Sequence, residues 1–464
     1  MKREIHIATI LFAVLLTACS ALNQAVATPT PTSSPVNPLE AGWKAYKAKK
    51  LGPARDIAEK AIAEDGQNAE AWALLANVNK GEEDFGEAIT NLEKAIDLGY
   101  SDPDAPKELE YLYLIHISFL LTEADISWSK DEIISNIVAA KEAANRVSQK
   151  DYEFTDFTKF FVYLLTREPQ SGFEQGTSQE ALDQLTLAEE HFTAEEWEEA
   201  IADYQASIDV DEDFAVAYVF MGDAYFSLED YPNAITYYNK GLSLNDALYQ
   251  GYSFMGDAYY RISLPLHAKK AFGNALILDP EYQIAVSGLE AVETNYGSWE
   301  EKYFNQFGYR LRYPSEGEFT EITDTLGDPK NSSGDVIYKN DALGFHITWM
   351  SIRNSDIPQD YDPMQIPLTL LEKIQETGEV EALGKTQEFG YNEVQITYQP
   401  FSFTAVNEGG AVNTDTGVMA LWKCNNIVFT LDLRFFNIDS REIDPYSILL
   451  MNPYLESILC ELEK

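Results

Sequence analysis

The sequence predicts a multidomain chain in which an all-α array of helix–turn–helix repeats precedes an α+β domain built on an antiparallel sheet. Three observations carry that expectation. The hexapeptide Phe220-Met221-Gly222-Asp223-Ala224-Tyr225 recurs 34 residues later (254 − 220) as Phe254-Met255-Gly256-Asp257-Ala258-Tyr259. Small and aromatic residues fall into columns at the same spacing: Ala200, Ala234 and Ala268, then Tyr204, Tyr238 and Phe272. A single hairpin cannot bury its own apolar face, so a fixed period of this length marks copies that stack. After Gly297 the pattern shifts to short aromatic and β-branched runs separated by Gly, Pro, Asn and Asp, the signature of strands.

The bulk composition narrows the function classes. A chain of 464 residues exceeds one ordinary core, and 45% hydrophobic content with 12% aromatics is enough to build several. The 33 Lys+Arg against 76 Asp+Glu leave a formal charge of −43. Such a surface repels phosphate backbones and anionic headgroups, which argues against nucleic-acid binding and against polybasic membrane attachment. It favours solubility and tolerates cationic partners. Cys19, Cys424 and Cys460 are too few for a disulfide framework, although Cys424 and Cys460 can bridge in an oxidising compartment.

Residues 1–18 place Lys2 and Arg3 before an apolar run from Ile7 to Leu16, the layout of a secretory signal peptide and too short for an ordinary membrane span. Leu16-Thr17-Ala18-Cys19 resembles the lipobox of bacterial lipoproteins. The resemblance implies that Cys19 becomes a lipidated N-terminus whose acyl chains hold the protein on the extracytoplasmic side of a cell membrane or envelope. Residues 19–38 are dense in Pro, Thr and Ser without apolar periodicity, as expected of an extended tether.

Residues 39–100 read as two repeats, with Ala54 and Ala61 recurring at Ala88 and Ala95, and with Trp72, Leu75, Ala76 and Phe85 in the first-helix and turn columns. Asn79 stands where an aromatic is expected. Residues 101–180 read as helices out of register, at 106–122, 131–149 and 154–166. Residues 181–297 hold three repeats and a capping helix at 282–294. Tyr218, Met221, Gly222 and Tyr225, and again Tyr252, Met255, Gly256 and Tyr259, resemble the first-helix pattern of tetratricopeptide repeats. Ala-x3-aromatic in the second helix and Pro280 after the last copy add to the likeness. The resemblance implies a solenoid with a concave, protein-binding groove. By register, Glu189, Asp223 and Asp257 form an acidic row facing it and Phe192, Phe226 and Tyr260 an aromatic row. Together they suit a basic or aromatic-containing peptide.

Residues 298–464 contain candidate strands at 309–313, 335–338, 344–352, 385–388, 392–398, 417–424 and 426–436. Asn425-Asn426 is a candidate hairpin turn, and helices are expected at 366–377 and 446–461. The run from Phe304 to Phe319, "FNQFGYRLRYPSEGEF", resembles the opening strand of PsbP-like domains, which implies a noncatalytic binding or assembly module.

Catalytic constellations are not evident in the sequence. His6, His116, His191, His267 and His346 show no metal-ligand spacing. Asp209 to Asp213 begins like a calcium loop but lacks its Gly and its closing Glu, so an acidic turn is expected. Asp415-Thr416-Gly417 is a single copy of a motif whose chemistry needs two carboxylates. With no phosphate loop, nucleophile elbow or Cys–His pair, no cofactor and no metal are expected. The sequence therefore points to a lipid-anchored, noncatalytic protein-interaction module. The rival reading is a solute- or glycan-binding lipoprotein acting through its C-terminal domain.

Overall fold

The computed structural model describes residues 38–148, 162–163, 165–170 and 178–304, together with 309–315, 317–324, 333–339, 343–351, 367, 370–372, 378–383, 385–391, 394–406, 412–424, 427–435 and 459–460. The leader, Cys19, the tether up to residue 37, most of the expected helix 154–166 and residues 446–458 of the expected last helix lie outside them. The chain divides into two compact units. One comprises residues 1–171 with 247–249 and 273–283, the other 172–246 with 250–272 and 284–464.

In the first unit, α1 (Pro38–Lys47) pairs with α2 (Leu51–Glu64), α3 (Ala69–Gly81) with α4 (Phe85–Asp97), and α5 (Ala105–Ile126) with α6 (Lys130–Ser148). Ala54, Ala88 and Ala95 are fully buried where the helices cross. Asn79 is buried too, and it replaces the expected aromatic by accepting a hydrogen bond from Arg55. The apolar face of α5 packs Leu109, Leu112, Tyr113 and Ile117 into the core shared with α4 and α6. No helix among the described residues is long and apolar enough to cross a membrane.

The helices of the second array are α7 (Gln179–Thr193), α8 (Trp197–Val210), α9 (Ala215–Ser227), α10 (Tyr231–Leu244), α11 (Tyr249–Arg261), α12 (Pro265–Leu278) and α13 (Gln283–Tyr296). One turn is used in five hairpins. Lys49, Glu83, Glu195, Glu229 and Ser263 each take a left-handed φ of 56 to 64°. The amide of the following residue reaches back to a carbonyl five residues earlier, as in Lys50 to Ala45 and Asp230 to Tyr225. This closes each first helix with a Schellman-type stop, without glycine.

Packing between copies depends on aromatic rings meeting small residues. A Cβ on Gly222 would lie 2.7 Å from the Tyr238 ring, and one on Gly256 would lie 2.7 Å from the Phe272 ring. On their other side, Tyr204 and Tyr238 meet Phe220 and Phe254 of the next copy, at centroid distances of 6.3 and 6.5 Å. In the last copy this column holds Gly288, whose added Cβ would come within 2.3 Å of Phe272. Phe272 thus fits between two glycines.

The C-terminal part of this unit begins with a three-stranded sheet, β1 (Glu300–Phe304), β2 (Tyr309–Tyr313) and β11 (Leu459–Cys460), in the order β1-β2-β11. The buried Arg312 side chain donates to the carbonyls of Tyr296 and Trp299, at 3.0 and 2.7 Å, and so ties β2 to the carbonyl end of α13. The larger sheet has eight strands: β3 (Glu318–Asp324), β4 (Ser333–Lys339), β5 (Leu343–Ser351), β6 (Glu379–Ala382), β7 (Gln387–Tyr391), β8 (Val394–Val406), β9 (Val412–Cys424) and β10 (Ile427–Phe435). Its order is β3-β4-β5-β10-β9-β8-β6, with β7 also on β8, and every described pairing is antiparallel. Cys424 opposite Ile427 brackets the Asn425-Asn426 connection.

Three sequence expectations about strands change here. β1, β3 and β6 were not foreseen. The strand expected at 385–388 begins later, as β7 from Gln387 to Tyr391. Leu459 and Cys460 form a strand against Tyr309 and Arg310, not the end of a helix. Asp415-Thr416-Gly417 lies within β9, and Gly417 is small because a Cβ there would strike the Leu433 carbonyl at 2.5 Å. Of the helix expected at 366–377, residues 367 and 370–372 are helical, and Leu371 packs on Phe401, Phe403 and Met419. Gly288→Ala should lower stability by about 1–3 kcal/mol, because a methyl must displace the buried Phe272 ring. Urea unfolding of the full chain measures it.

Candidate functional site

The acidic and aromatic rows occupy matching positions on α7, α9 and α11, but most of their groups are engaged inside the hairpins. Tyr204 and Tyr238 are buried, and a buried phenol needs an acceptor for its hydroxyl. Tyr204 donates to Glu189, and Tyr238 donates to Asp223 at 2.7 Å. These are the same contact one repeat apart. At the third position the ring is Phe272, which has no hydroxyl, and Asp257 instead lies 3.7 Å from the Arg261 guanidinium.

The acidic row expected to face the groove is therefore already engaged within the array. Glu189 and Asp223 serve the packing tyrosines, and Asp257 is held by a helical neighbour. The register identified the face these residues share. It gave no sign of the hydroxyl fifteen residues further on.

The environment of Asp223 shows in its proton affinity. Burial pushes its carboxyl up to about 7; the Tyr238 hydroxyl opposes that shift, and the nearby Glu189 charge adds to it. Burial also raises Asp257, while Arg261 opposes it. Tyr204 and Tyr238 are raised beyond their ordinary range, burial first and their carboxylate partners second.

The aromatic row is likewise partly internal. Phe192 meets Trp197 edge-on at 4.9 Å, and Phe226 meets Tyr231 at 5.2 Å, each across the turn of its own hairpin. Tyr260 has Pro265 at the corresponding position, and its hydroxyl accepts from Asn295 at 2.5 Å. Arg261, which sequence reasoning missed, sits 5.9 Å from the Phe226 ring and beside Asp257. Its position next to Tyr260, one repeat on from Ser227, was the available signal. Asp257, Tyr260, Arg261 and the Phe226 ring thus bring an acid, a cation and two rings together on one part of the array.

The other sequence candidates have structural surroundings. His191 Nδ1 lies 2.6 Å from Asp203, with Glu196 3.7 Å from Nε2. His116 is half-buried, and burial lowers its proton affinity. Asp211 accepts from the Asp213 amide in the turn after α8, as an acidic inter-repeat turn would. No group of His, Cys, Asp and Glu among the described residues is arranged to hold a metal ion.

The tetratricopeptide repeat family pattern matches residues 69–98 and 215–247, so repeats of this kind are present in both arrays. No curated protein matches the chain. Similar solved structures include the first TPR of Spaghetti (RPAP3) bound to an HSP90 peptide, at 27% identity over 25% of this chain and 93% of that one, with a TM-score of 0.25. The TPR2AB domain of yeast Sti1, in a complex with pHSP90, is 17% identical over 55% of this chain and 95% of that one, with a TM-score of 0.23. The APC/C hetero-tetramer Cut9-Hcn1 is 18% identical over 61% of this chain and 46% of that one, with a TM-score of 0.24.

Asp223 gives a pH prediction with a definite sign. Its folded-state carboxyl titrates near 7, above the ordinary 3.8, so the folded chain holds this proton more tightly than the unfolded chain. Its contribution to stability is complete below pH 4 and is lost as pH rises through 7. Asp223→Asn should therefore gain stability relative to the unsubstituted chain between pH 4 and 7.5, read from urea midpoints. A constant difference across that range would contradict it.

Proposed function

We propose that the chain is a lipid-anchored, noncatalytic interaction protein on the extracytoplasmic side of a cell membrane or envelope. Its helical repeats capture a protein or peptide partner, and its C-terminal α+β domain adds a second surface. The 34-residue recurrence of the same hairpin contacts carries this reading. Stacked copies create an extended surface, and tetratricopeptide repeats suggest protein–protein interaction.

Within that surface, recognition centres on Asp257, Tyr260, Arg261 and the half-buried Phe226 ring. Glu189 and Asp223 hold the hairpins behind it. A carboxylate, a guanidinium and two rings suit a peptide with a cation and an aromatic or aliphatic side chain, through ion pairing and cation–π contact. Leu16-Thr17-Ala18-Cys19 supports the anchor, and the Pro/Thr/Ser-rich residues 19–38 support a tether between it and α1.

Two measurements test these assignments. Cys19→Ser should move the protein from the membrane pellet to the soluble fraction of native cells washed at high salt, whereas retention in the washed pellet would contradict the anchor. Affinity capture from native membranes with the Asp257→Lys, Tyr260→Ala full chain should recover about tenfold less of the partner, a loss typical of central interface groups. Unchanged recovery would refute this surface.

A further inference from the structure

The turn that closes five first helices reverses its charge in one of them. At the left-handed position and the residue after it stand Glu83-Asp84, Glu195-Glu196, Glu229-Asp230 and Ser263-Leu264, but in the first hairpin Lys49-Lys50. Asp84 and Asp230 cap the next helix by accepting from the amides of Glu87 and Asn233. Lys50 makes no such bond and places a cation at the positive end of α2. Folding gains nothing from this exchange, because an acid at the same backbone position does more for the helix.

Lys44 and Lys47, three residues apart on the last turn of α1, extend the patch. All four lysines are exposed, and none has an ion-pair partner among the described residues. From Ala41 to Arg55 there is no acidic residue, in a chain with 76 acids among 464 residues. The patch is thus a local reversal of a strongly acidic surface, and its position is informative. Lys44 follows Pro38, where the described chain begins, by six residues (44 − 38), and Pro38 follows Cys19 by nineteen (38 − 19). Nineteen residues reach at most about 65 Å, several times the Debye length of about 8 Å at physiological salt. An anchor alone therefore leaves the orientation of the folded part open.

We propose that Lys44, Lys47, Lys49 and Lys50 form a docking patch for the anionic headgroups of the membrane that carries the anchor. The proposal rests on the assignment of Cys19 as the anchor. The patch sets which end of the chain faces the bilayer, while the −43 charge turns the remaining surface outward. It refines the expectation that so acidic a chain lacks any polybasic contact: the net charge conceals one basic end.

Vesicle co-sedimentation tests the patch separately from the anchor. The probe is the mature chain 19–464 with Cys19→Ser, which cannot be acylated, mixed with phosphatidylglycerol-containing or pure phosphatidylcholine vesicles at low salt. The chain should sediment with the anionic vesicles only and be released at high salt. The set K44E, K47E, K49E and K50D should reduce partition at least about tenfold, since each basic residue near such a surface adds to binding. The charge-matched set K60E, K94E, K107E and K385E should reduce it less than about threefold. K49E and K50D introduce the acids found at the same positions of the next hairpin, Glu83 and Asp84, and unfolding midpoints verify that both sets fold. Equal binding to neutral and anionic vesicles, or equal losses from the two sets, would overturn the proposal. A failed fractionation with Cys19→Ser would instead remove the anchor and leave this result standing.

Discussion

A buried ring at the second helix of each hairpin sets the spacing on which the array depends. Tyr204, Tyr238 and Phe272 fill the gap between one first helix and the next, so the facing positions must be small or must offer another ring edge. Gly222 and Gly256 lie on one side, and Phe220, Phe254 or Gly288 on the other. Two of the rings bring a hydroxyl into the interior, and a buried phenol without an acceptor would cost about 1–3 kcal/mol. Glu189 and Asp223 answer that need. Where the ring is Phe272 the demand disappears, and Asp257 is released to its contact with Arg261.

This arrangement divides the chain's acidity into kinds. Some carboxylates, such as Asp84 and Asp230, cap helices. Others, Glu189 and Asp223, accept from packing tyrosines, and burial disfavours the charge of Asp223. Most of the rest is solvated and keeps the surface strongly negative, against which the Lys44–Lys50 segment stands out. Near Asp257 and Arg261 an acid, a cation and the Phe226 ring share a small area.

Much of the fold was legible in the sequence, for a physical reason. Columns such as Ala200, Ala234 and Ala268 repeat because helix crossings repeat, and volume shows directly in residue type. β2 was read with its observed bounds, and β5 and β10 within a residue at each end, because aromatic and β-branched runs mark them. Glu300–Phe304, Glu318–Asp324 and Glu379–Ala382 were missed, since acids at many of their positions hide the strand pattern and pairing to their neighbours creates the strand. Leu459–Cys460 was expected to be helical and is held instead by Arg310 and Tyr309. The site was less legible. Periodicity shows which residues share a face but not which of them already have a partner, and the Tyr238–Asp223 bond joins residues on two helices. The Lys49-Lys50 exchange was in plain view, but it gained meaning only when the turns proved to share one backbone geometry.

A double-mutant cycle between Tyr238→Phe and Asp223→Ala, measured by urea unfolding at pH 7, tests most directly whether the acidic row belongs to the hairpin interior. A bond inside the hairpin predicts a coupling free energy of at least about 1 kcal/mol between the two substitutions. Additive effects, with no coupling beyond about 0.3 kcal/mol, would show Asp223 to be independent of Tyr238 and return it to the recognition surface.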